Sequence, residues 1–227
     1  MEYVEIARAE TERGELVLRE RREEGAPTTL ELRANGVFVM DTLETSTEQA
    51  LAEAALEQVD HPQRVVVGGL GLGFTMHALL ADSRVETCAV VEIEQPLVDW
   101  MRDGTIPHGP AMLADERVKV VVADIAVAMA EAPPASYDLV LLDVDNGPGY
   151  LVHDANAALY QEPFLRSARD ALRPGGALAI WSAAEAPELV EVLDRVFDSA
   201  EEHAHDVLLQ DRDEQYWLYV ARVTSGS

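Results

Sequence analysis

Three glycines at alternate positions follow a run of valines and precede an apolar stretch with helical spacing. The valines occupy positions 65–67, and the glycines are Gly69, Gly71 and Gly73. A glycine loop between a buried strand and a helix lets the backbone approach a ligand and presents free amide donors to it. The pattern therefore favours a site for a nucleotide-like ligand. The alternative is an ordinary tight turn, in which glycines are also common.

Acidic residues follow the next three apolar runs. Glu92 lies roughly 20 residues beyond the glycine loop, where an acidic residue of a dinucleotide-type site binds ribose hydroxyls. Asp124 follows the third run, and Asp143 follows the fourth, with Asp145 and Asn146 close behind. Because the carboxyl ends of parallel strands meet at one edge of a sheet, we expect these side chains to lie close together. Asp124 is also suited to be the N-cap of the next helix.

Apolar runs rich in β-branched residues alternate with helix-like segments from Arg64 onward. The strand-like runs are VVVGG, TCAVVEI, VKVVVAD, DLVLLD and GALAIWSA. The helix-like segments are TMHALLA, PLVDWM, IAVAMAEA, ALYQEPFLRSARDAL and PELVEVLDRVF. The segments HDVLLQ and QYWLYVARV, joined by a DRDE turn, predict a terminal hairpin. The alternation predicts an α/β fold with a mostly parallel sheet and helices on both faces.

The first part of the chain has a different pattern. Residues 1–45 contain four alternating runs separated by turn-like TERG, EEGAPT and ANG, which predict a small antiparallel β-hairpin subdomain. Residues 46–227 are then the second domain. Ser46 and Gln49 have the spacing of a capping box, which predicts a helix that begins there and ends near Asp60.

The composition of the chain excludes some classes of binding partner. The net charge of −25 leaves no basic surface for nucleic acid or anionic lipid, so neither is an expected partner. The first residues lack the features of a signal peptide, and we expect a cytoplasmic protein. The single cysteine, Cys88, lies in a strand-like run and is expected to be buried. His203 and His205 alternate on one predicted strand, but no third ligand has a recognisable spacing, so no metal is expected.

Several segments resemble one known family in order and spacing. They are HPQRVVVGG, VVEIEQPLVDWM, ERVKVVVAD, YDLVLLDVDNGP and LRPGGALAIW. They look like the spermidine (polyamine) synthase branch of the class I S-adenosylmethionine-dependent transferases, and the likeness covers most of the chain. It implies a Rossmann-like class I methyltransferase fold with a seven-stranded sheet.

The resemblance also implies roles for individual residues. Glu92 would bind the ribose, Asp124 would lie beside the adenine, and Asp143 would lie beside the sulfonium and the attacking amine. A carboxylate at Asp143 can accept the amine proton and offset the sulfonium charge. The expected catalytic residues are Asp143, Asp145 and Asn146. The expected cofactor-binding residues are Gly69, Gly71, Leu72, Gly73, Glu92, Ile93, Asp124, Ile125 and Asp143.

The chain also departs from the family pattern. Polyamine synthases have an aspartate in the glycine loop that binds the amino group of decarboxylated S-adenosylmethionine, and this chain has Leu72 there. Their tyrosine–histidine pair should fall near Glu48 to Glu53, where the sequence reads EQALAE. Asn146 replaces the second acidic residue of the motif after the fourth strand. These changes favour S-adenosylmethionine itself as the cofactor and disfavour putrescine as the acceptor.

Three functions remain open from the sequence. The favoured one is a methyltransferase that acts on a small amine, and the second is an aminopropyltransferase that uses decarboxylated S-adenosylmethionine with an altered acceptor. The third is a non-catalytic nucleoside-binding protein. The candidate substrate contacts are Tyr150, His153, Tyr160 and Trp181. By analogy with the family we also expect a homodimer, with the N-terminal hairpins at its interface.

Overall fold

Four N-terminal strands form an antiparallel sheet in chain order in the computed structural model, which describes residues 1–144, 146–209 and 212–224. The strands are β1 (Glu2–Thr11), β2 (Gly14–Arg22), β3 (Thr29–Ala34) and β4 (Val37–Asp41). Asn35 and Gly36 both have positive φ, at 51° and 76°, as a tight hairpin turn requires. The predicted antiparallel sheet at the N-terminus is therefore confirmed.

A seven-stranded sheet follows, in the order β10-β11-β9-β8-β5-β6-β7. Its strands are β5 (Arg64–Gly68), β6 (Thr87–Glu92), β7 (Val118–Val122), β8 (Tyr137–Leu142), β9 (Leu172–Ser182), β10 (Ser199–Leu209) and β11 (Arg212–Arg222). Strands β5 to β9 pair in parallel, whereas β11 pairs antiparallel with β9 and β10 pairs antiparallel with β11. The mostly parallel seven-stranded sheet is as predicted.

Helices cover both faces of this sheet. They are α1 (Ser46–Glu57), α2 (Phe74–Leu80), α3 (Gln95–Asp103), α4 (Gly109–Leu113), α5 (Ile125–Glu131), α6 (Glu162–Ala171) and α7 (Pro187–Val196), with a 3₁₀ helix at Asp154–Tyr160. One apolar core includes Leu51 of α1 and Leu79 of α2, and the other includes Leu165 of α6 and Leu193 of α7. Each such buried side chain contributes about 1.5–3 kcal/mol to the burial free energy.

Strand β5 marks the point where the strand order reverses, because its neighbours are β6 and β8. The loops that leave these three strands are hydrogen-bonded to one another. The Gly69 amide donates to the Val91 carbonyl at 2.9 Å, and the Asp143 amide donates to the Gly68 carbonyl at 2.9 Å. Open α/β sheets bind ligands at such a switch point, so this edge positions the candidate site.

The long helix predicted over ALYQEPFLRSARDAL is wrong. The structure has the 3₁₀ helix up to Tyr160, an extended Gln161 with φ −104° and ψ 157°, and only then α6. Pro163 lies in the first turn of α6. A continuous helix would leave the Leu159 carbonyl without its amide donor and in collision with the proline ring, whereas a proline in the first turn is tolerated.

Two predicted boundaries also shift. Ser46 is the first residue of α1 rather than its cap, and its amide donates to the Glu44 carboxylate at 2.8 Å. The helix ends at Glu57 rather than near Asp60. The predicted DRDE turn is strand from Arg212 onward, and Asp211 lies outside the described residues. Helix α4 has five residues and no periodic signal in the sequence.

Candidate active site

A cleft lies at the carboxyl edge of the central strands, and the N-terminal sheet covers its other side. It consists of a larger and a smaller cavity that share part of their walls. The loops after β5, β6 and β8 contribute Gly69, Gly71, Glu92, Ile93, Glu94, Asp143, Val144 and Asn146 to the larger cavity. The smaller cavity adds Ala123, Asp124 and Ile125. The sheet edge thus brings together most of the residues that the sequence placed in one site.

The glycine loop fits closely against its neighbours. Gly69 has a φ of 96°, and a Cβ at this position would collide with the Asp143 carbonyl oxygen. Gly71 has a φ of 49°, and a Cβ there would lie 2.6 Å from the Met40 sulfur. These two glycines therefore let the loop pack closely against its neighbours at the wall of the cleft.

Leu72 and Gly73 line neither cavity of the cleft, and their cofactor contacts stay predictions. The Leu72 side chain is fully buried in the core, and its carbonyl lies 2.8 Å from His108 Nε2. A Cβ on Gly73 would touch Met101 and Met112, so this glycine is required by packing. Spacing along the loop does not determine which way a side chain points, and here the apolar leucine turns inward.

Glu92 holds the loops after β5 and β6 together. Its Oε2 accepts a hydrogen bond from the Leu70 amide at 2.8 Å, and its Oε1 accepts one from the Glu94 amide at 2.8 Å. The side chain lies on the cavity wall but is almost fully buried, and this burial raises the pKa of Glu92 above its usual range. Each carboxylate oxygen retains acceptor capacity for a ligand hydroxyl.

Asp124 both caps a helix and lines the cleft. Its Oδ1 accepts a hydrogen bond from the Ala126 amide at 2.8 Å, as an N-cap does, and the residue faces the smaller cavity beside Ile125. The cap fixes the carboxylate at the end of β7, where it remains next to the space shared with Glu92.

Asp143 is oriented by a threonine of the neighbouring helix. Thr75 Oγ1 donates to Asp143 Oδ2 at 2.6 Å, and Thr75 is buried in the first turn of α2. The carboxylate opens on the cavity, while the protein around it raises the pKa of Asp143 through burial. Tyr160 donates its hydroxyl to the Val144 carbonyl at 2.9 Å and is itself buried. Tyr160 thus anchors the backbone next to Asp143 and lines neither cavity of the cleft, and its substrate contact stays a prediction.

Glu48 is a site residue that the sequence analysis missed. It lies in the first turn of α1, lines the same cavity as Asp143 and is 8% exposed. Thr47 Oγ1 donates to Glu48 Oε2 at 2.8 Å. Burial first, and then repulsion from Asp143, raise the pKa of Glu48 to about 7. The family register had pointed to the stretch from Glu48 to Glu53 for pocket residues, which is the signal that could have found it.

Arg13 is a second missed residue. It lies at the tip of the β1–β2 hairpin, lines both cavities and forms an ion pair with Glu94 at 3.5 Å. Its guanidinium also donates to Asn156 Oδ1 at 2.9 Å. The hairpin tip therefore connects the N-terminal sheet to two sides of the cleft.

The remaining candidates divide between the cleft and the surface. His153, Asn146 and Trp181 line the larger cavity, and the Trp181 ring meets Tyr216 edge-on at a centroid distance of 5.1 Å. Tyr150 is 64% exposed and lines neither cavity of the cleft, and its substrate contact stays a prediction. Asp145 lies outside the described residues.

Cys88 is a residue of the apolar core. Cys88 is fully buried, as predicted, and burial raises the pKa of its thiol to about 12.

Within residues 1–144, 146–209 and 212–224, no three His, Cys, Asp or Glu side chains converge in a way that could hold a metal ion. In the same ranges, every helix is too short or too polar to cross a bilayer.

The strand order and the position of the cleft define a class of protein. This is a Rossmann-like fold of the class I methyltransferase type, with a small antiparallel sheet added at its N-terminus. The chain belongs to the spermine/spermidine synthase domain family, whose family model matches residues 44–205. The resemblance noted in the sequence is therefore confirmed.

Individual proteins show the same relationship. The chain is 30% identical to putrescine N-methyltransferase 3 of Nicotiana tabacum over 140 residues, which are 59% of this chain and 35% of the tobacco protein. It is 29% identical to polyamine aminopropyltransferase 2 of Pseudomonas aeruginosa over 141 residues, which are 60% and 38% of the two chains. The chain thus spans somewhat more than a third of the length of these relatives.

A solved structure supports the fold. A spermidine synthase in complex with the transition state analogue AdoDATO superimposes with a TM-score of 0.81 over 96% of this chain and 73% of that chain. The two sequences are 16% identical, so this similarity shows the fold alone.

Proposed function

We propose that this protein is an S-adenosylmethionine-dependent N-methyltransferase whose acceptor is a small amine. The observation that carries the proposal is the arrangement at the switch point, where the glycine loop and Glu92 share one cavity with Asp143. The glycine loop and Glu92 suit an adenosine with free ribose hydroxyls, and Asp143 suits a reacting amine. The names of the tobacco relatives combine methyl transfer with an amine, which supports the same reading.

The residues present fit the cofactor. A Cβ on Gly69 would collide with the Asp143 carbonyl, so the glycine lets the loop after β5 pack directly against the loop after β8, and both loops line the cavity. In this proposal Glu92 binds the ribose hydroxyls, and Asp124 and Ile125 lie beside the adenine. S-adenosylmethionine supplies an electrophilic methyl group on a sulfonium when it is bound. Asp143 accepts a proton from the acceptor ammonium, which frees the nitrogen lone pair for attack.

The charge of the cleft supports a cationic acceptor. The segment from the end of β4 to the first turn of α1 carries Asp41, Glu44 and Glu48, which line the same cavity as Asp143. Carboxylates in a partly desolvated cleft attract an ammonium group more strongly than they would in water. The expectation against putrescine rested on the missing tyrosine and histidine and on Asn146 in place of an acidic residue. Because this segment supplies carboxylates instead, a diamine is among the acceptors to be tested.

Aminopropyl transfer is the second candidate. It is favoured by the family as a whole and by the similarity to the aminopropyltransferase of Pseudomonas aeruginosa. It is disfavoured by the glycine loop, because Leu72 places no carboxylate in the cleft that could bind the amino group of the decarboxylated cofactor. The two candidates therefore differ in the cofactor that the cleft prefers.

Calorimetry with the two cofactors tests this preference. We expect S-adenosylmethionine to bind at least about tenfold more tightly than its decarboxylated form, a difference of about 1.4 kcal/mol. A preference for the decarboxylated form would instead support aminopropyl transfer. Binding of neither would indicate the non-catalytic alternative.

A further inference from the structure

Two carboxylates from different parts of the fold line the same cavity. Asp143 follows β8 of the large sheet, and Glu48 lies in the first turn of α1, just after the N-terminal sheet. Each accepts a hydrogen bond from a threonine hydroxyl, Thr75 for Asp143 and Thr47 for Glu48. The two side chains repel each other electrostatically when both are charged.

We propose that Glu48 and Asp143 share one proton and together form the base that deprotonates the acceptor amine. This inference rests on the proposed function, and it adds Glu48 to the residues that handle the proton. The other carboxylates of the cleft are committed to backbone or arginine partners. Asp41 accepts from the Leu43 and Glu44 amides and pairs with Arg21 at 3.3 Å.

The threonine partners suit a pair whose protonation changes. A hydroxyl can donate to a carboxylate and can rotate to accept from a carboxylic acid, whereas a backbone amide can only donate. Glu92, which accepts from two amides, lacks this freedom. Thr47 and Thr75 therefore accommodate either charge state of Glu48 and Asp143.

Other titratable groups reach the pair from the surrounding elements. Glu44 comes from the loop before α1, Asp41 from the end of β4, Tyr216 from β11 and His153 from the loop after β8. Glu44 adds repulsion to Glu48, while the Thr47 hydroxyl and the amide of Glu48 itself favour its charged form. Burial outweighs these favourable contacts, so one proton is retained near neutral pH.

The proton balance follows from this arrangement. An arriving ammonium stabilises the charged form of both carboxylates, and the shared proton leaves to water. The fully charged pair then takes one proton from the ammonium, and the N–H electrons remain on nitrogen as its lone pair. That proton stays on the pair and restores its singly protonated state, so each methyl transfer releases one proton to water. The doubly charged pair holds its first proton more tightly than an isolated carboxylate does, which makes it a base better matched to an amine near pH 7.

The variant Glu48→Gln tests the proposal, with Glu53→Gln as its control. Glu53 lies on the same helix and is exposed, so the control makes the same chemical change away from the cleft. We expect Glu48→Gln to lower the rate of amine methylation by about a hundredfold and to leave the affinity for S-adenosylmethionine within about threefold. Glu53→Gln should match the unmodified protein in both measurements. Glu48→Asp, which keeps a carboxylate, should recover part of the rate.

Thermal denaturation of the unliganded protein provides a second readout. The raised pKa means that the folded protein holds a proton that the unfolded chain has lost, so this group costs stability as the pH rises from about 4.5 to about 7. The melting temperature of Glu48→Gln minus that of the unmodified protein should therefore become more positive across that range. For Glu53→Gln the difference should stay flat.

The possible results test the role of Glu48 separately from the proposed function. If the unmodified protein methylates amines and Glu48→Gln retains its rate, the role of Glu48 is wrong and the proposed function stands. A loss of rate with a melting-temperature difference that does not vary with pH indicates a structural role, and it also overturns the inference. If the unmodified protein transfers nothing from either cofactor, the proposed function fails, and the catalytic role of Glu48 fails with it.

Discussion

Replacing Asp143 by asparagine is expected to lower the rate of methyl transfer by about 10³-fold, within the range for loss of a general base. Asparagine keeps an oxygen that can accept the Thr75 hydroxyl at the position now 2.6 Å away, so the local geometry should survive. It cannot take up a proton at neutral pH. The affinity for S-adenosylmethionine should stay within about tenfold, because the adenosine contacts are made elsewhere.

Single-turnover kinetics with bound cofactor separates these effects, since the chemical step is then observed without product release. Asp170→Asn, at an exposed position on α6, is the matched control and should leave the rate unchanged. Unchanged turnover in Asp143→Asn would remove Asp143 from the catalytic role.

Replacing Glu92 by alanine is expected to weaken cofactor binding by about a hundredfold, through the loss of charge-assisted ribose hydrogen bonds. The same change removes the acceptor for the Leu70 and Glu94 amides, which are now bound at 2.8 Å. Leaving buried donors unpaired costs about 1–3 kcal/mol each, so a lower melting temperature should accompany the loss of affinity. Glu86→Ala, at the exposed approach to the same strand, is the control.

Combining the Glu92→Ala variant with a ligand that lacks one ribose hydroxyl distinguishes the loss of a ribose contact from a general disturbance of the two loops. Calorimetry with S-adenosylhomocysteine and its 2′-deoxy analogue should show a large affinity difference for the unmodified protein and little difference for Glu92→Ala. Equal sensitivity of both proteins to the missing hydroxyl would mean that Glu92 does not bind the ribose and acts only through the loops.

The parallel sheet and the residues at its strand ends were predictable from the sequence for a definite reason. In a parallel sheet, the residue after each apolar run lies at the same edge, so a linear pattern fixes a spatial neighbourhood. Glu92, Asp124 and Asp143 were located in this way, and all three line the cleft. The capping function of Asp124 also follows from its position before a helix.

Residues from outside the parallel sheet were not predictable in the same way. Glu48 and Arg13 reach the cleft from α1 and from a hairpin tip, and their approach depends on how the N-terminal sheet packs on the large one. The direction of individual side chains was also undetermined, as Leu72 in the glycine loop and Tyr160 at the end of the 3₁₀ helix show by turning into the core. The homodimer and the cytoplasmic location stay predictions.

The central claim is that this cleft transfers a methyl group from S-adenosylmethionine to an amine. Its most direct test is mass spectrometry of the products formed when the purified protein is given equal amounts of S-adenosylmethionine and its decarboxylated form. Putrescine and a simple monoamine serve as acceptors, and Asp143→Asn serves as the matched control. We expect an amine that carries one added methyl group, formed by the unmodified protein and nearly absent with the variant. An amine that carries an added aminopropyl group, with no methylated product, would contradict it.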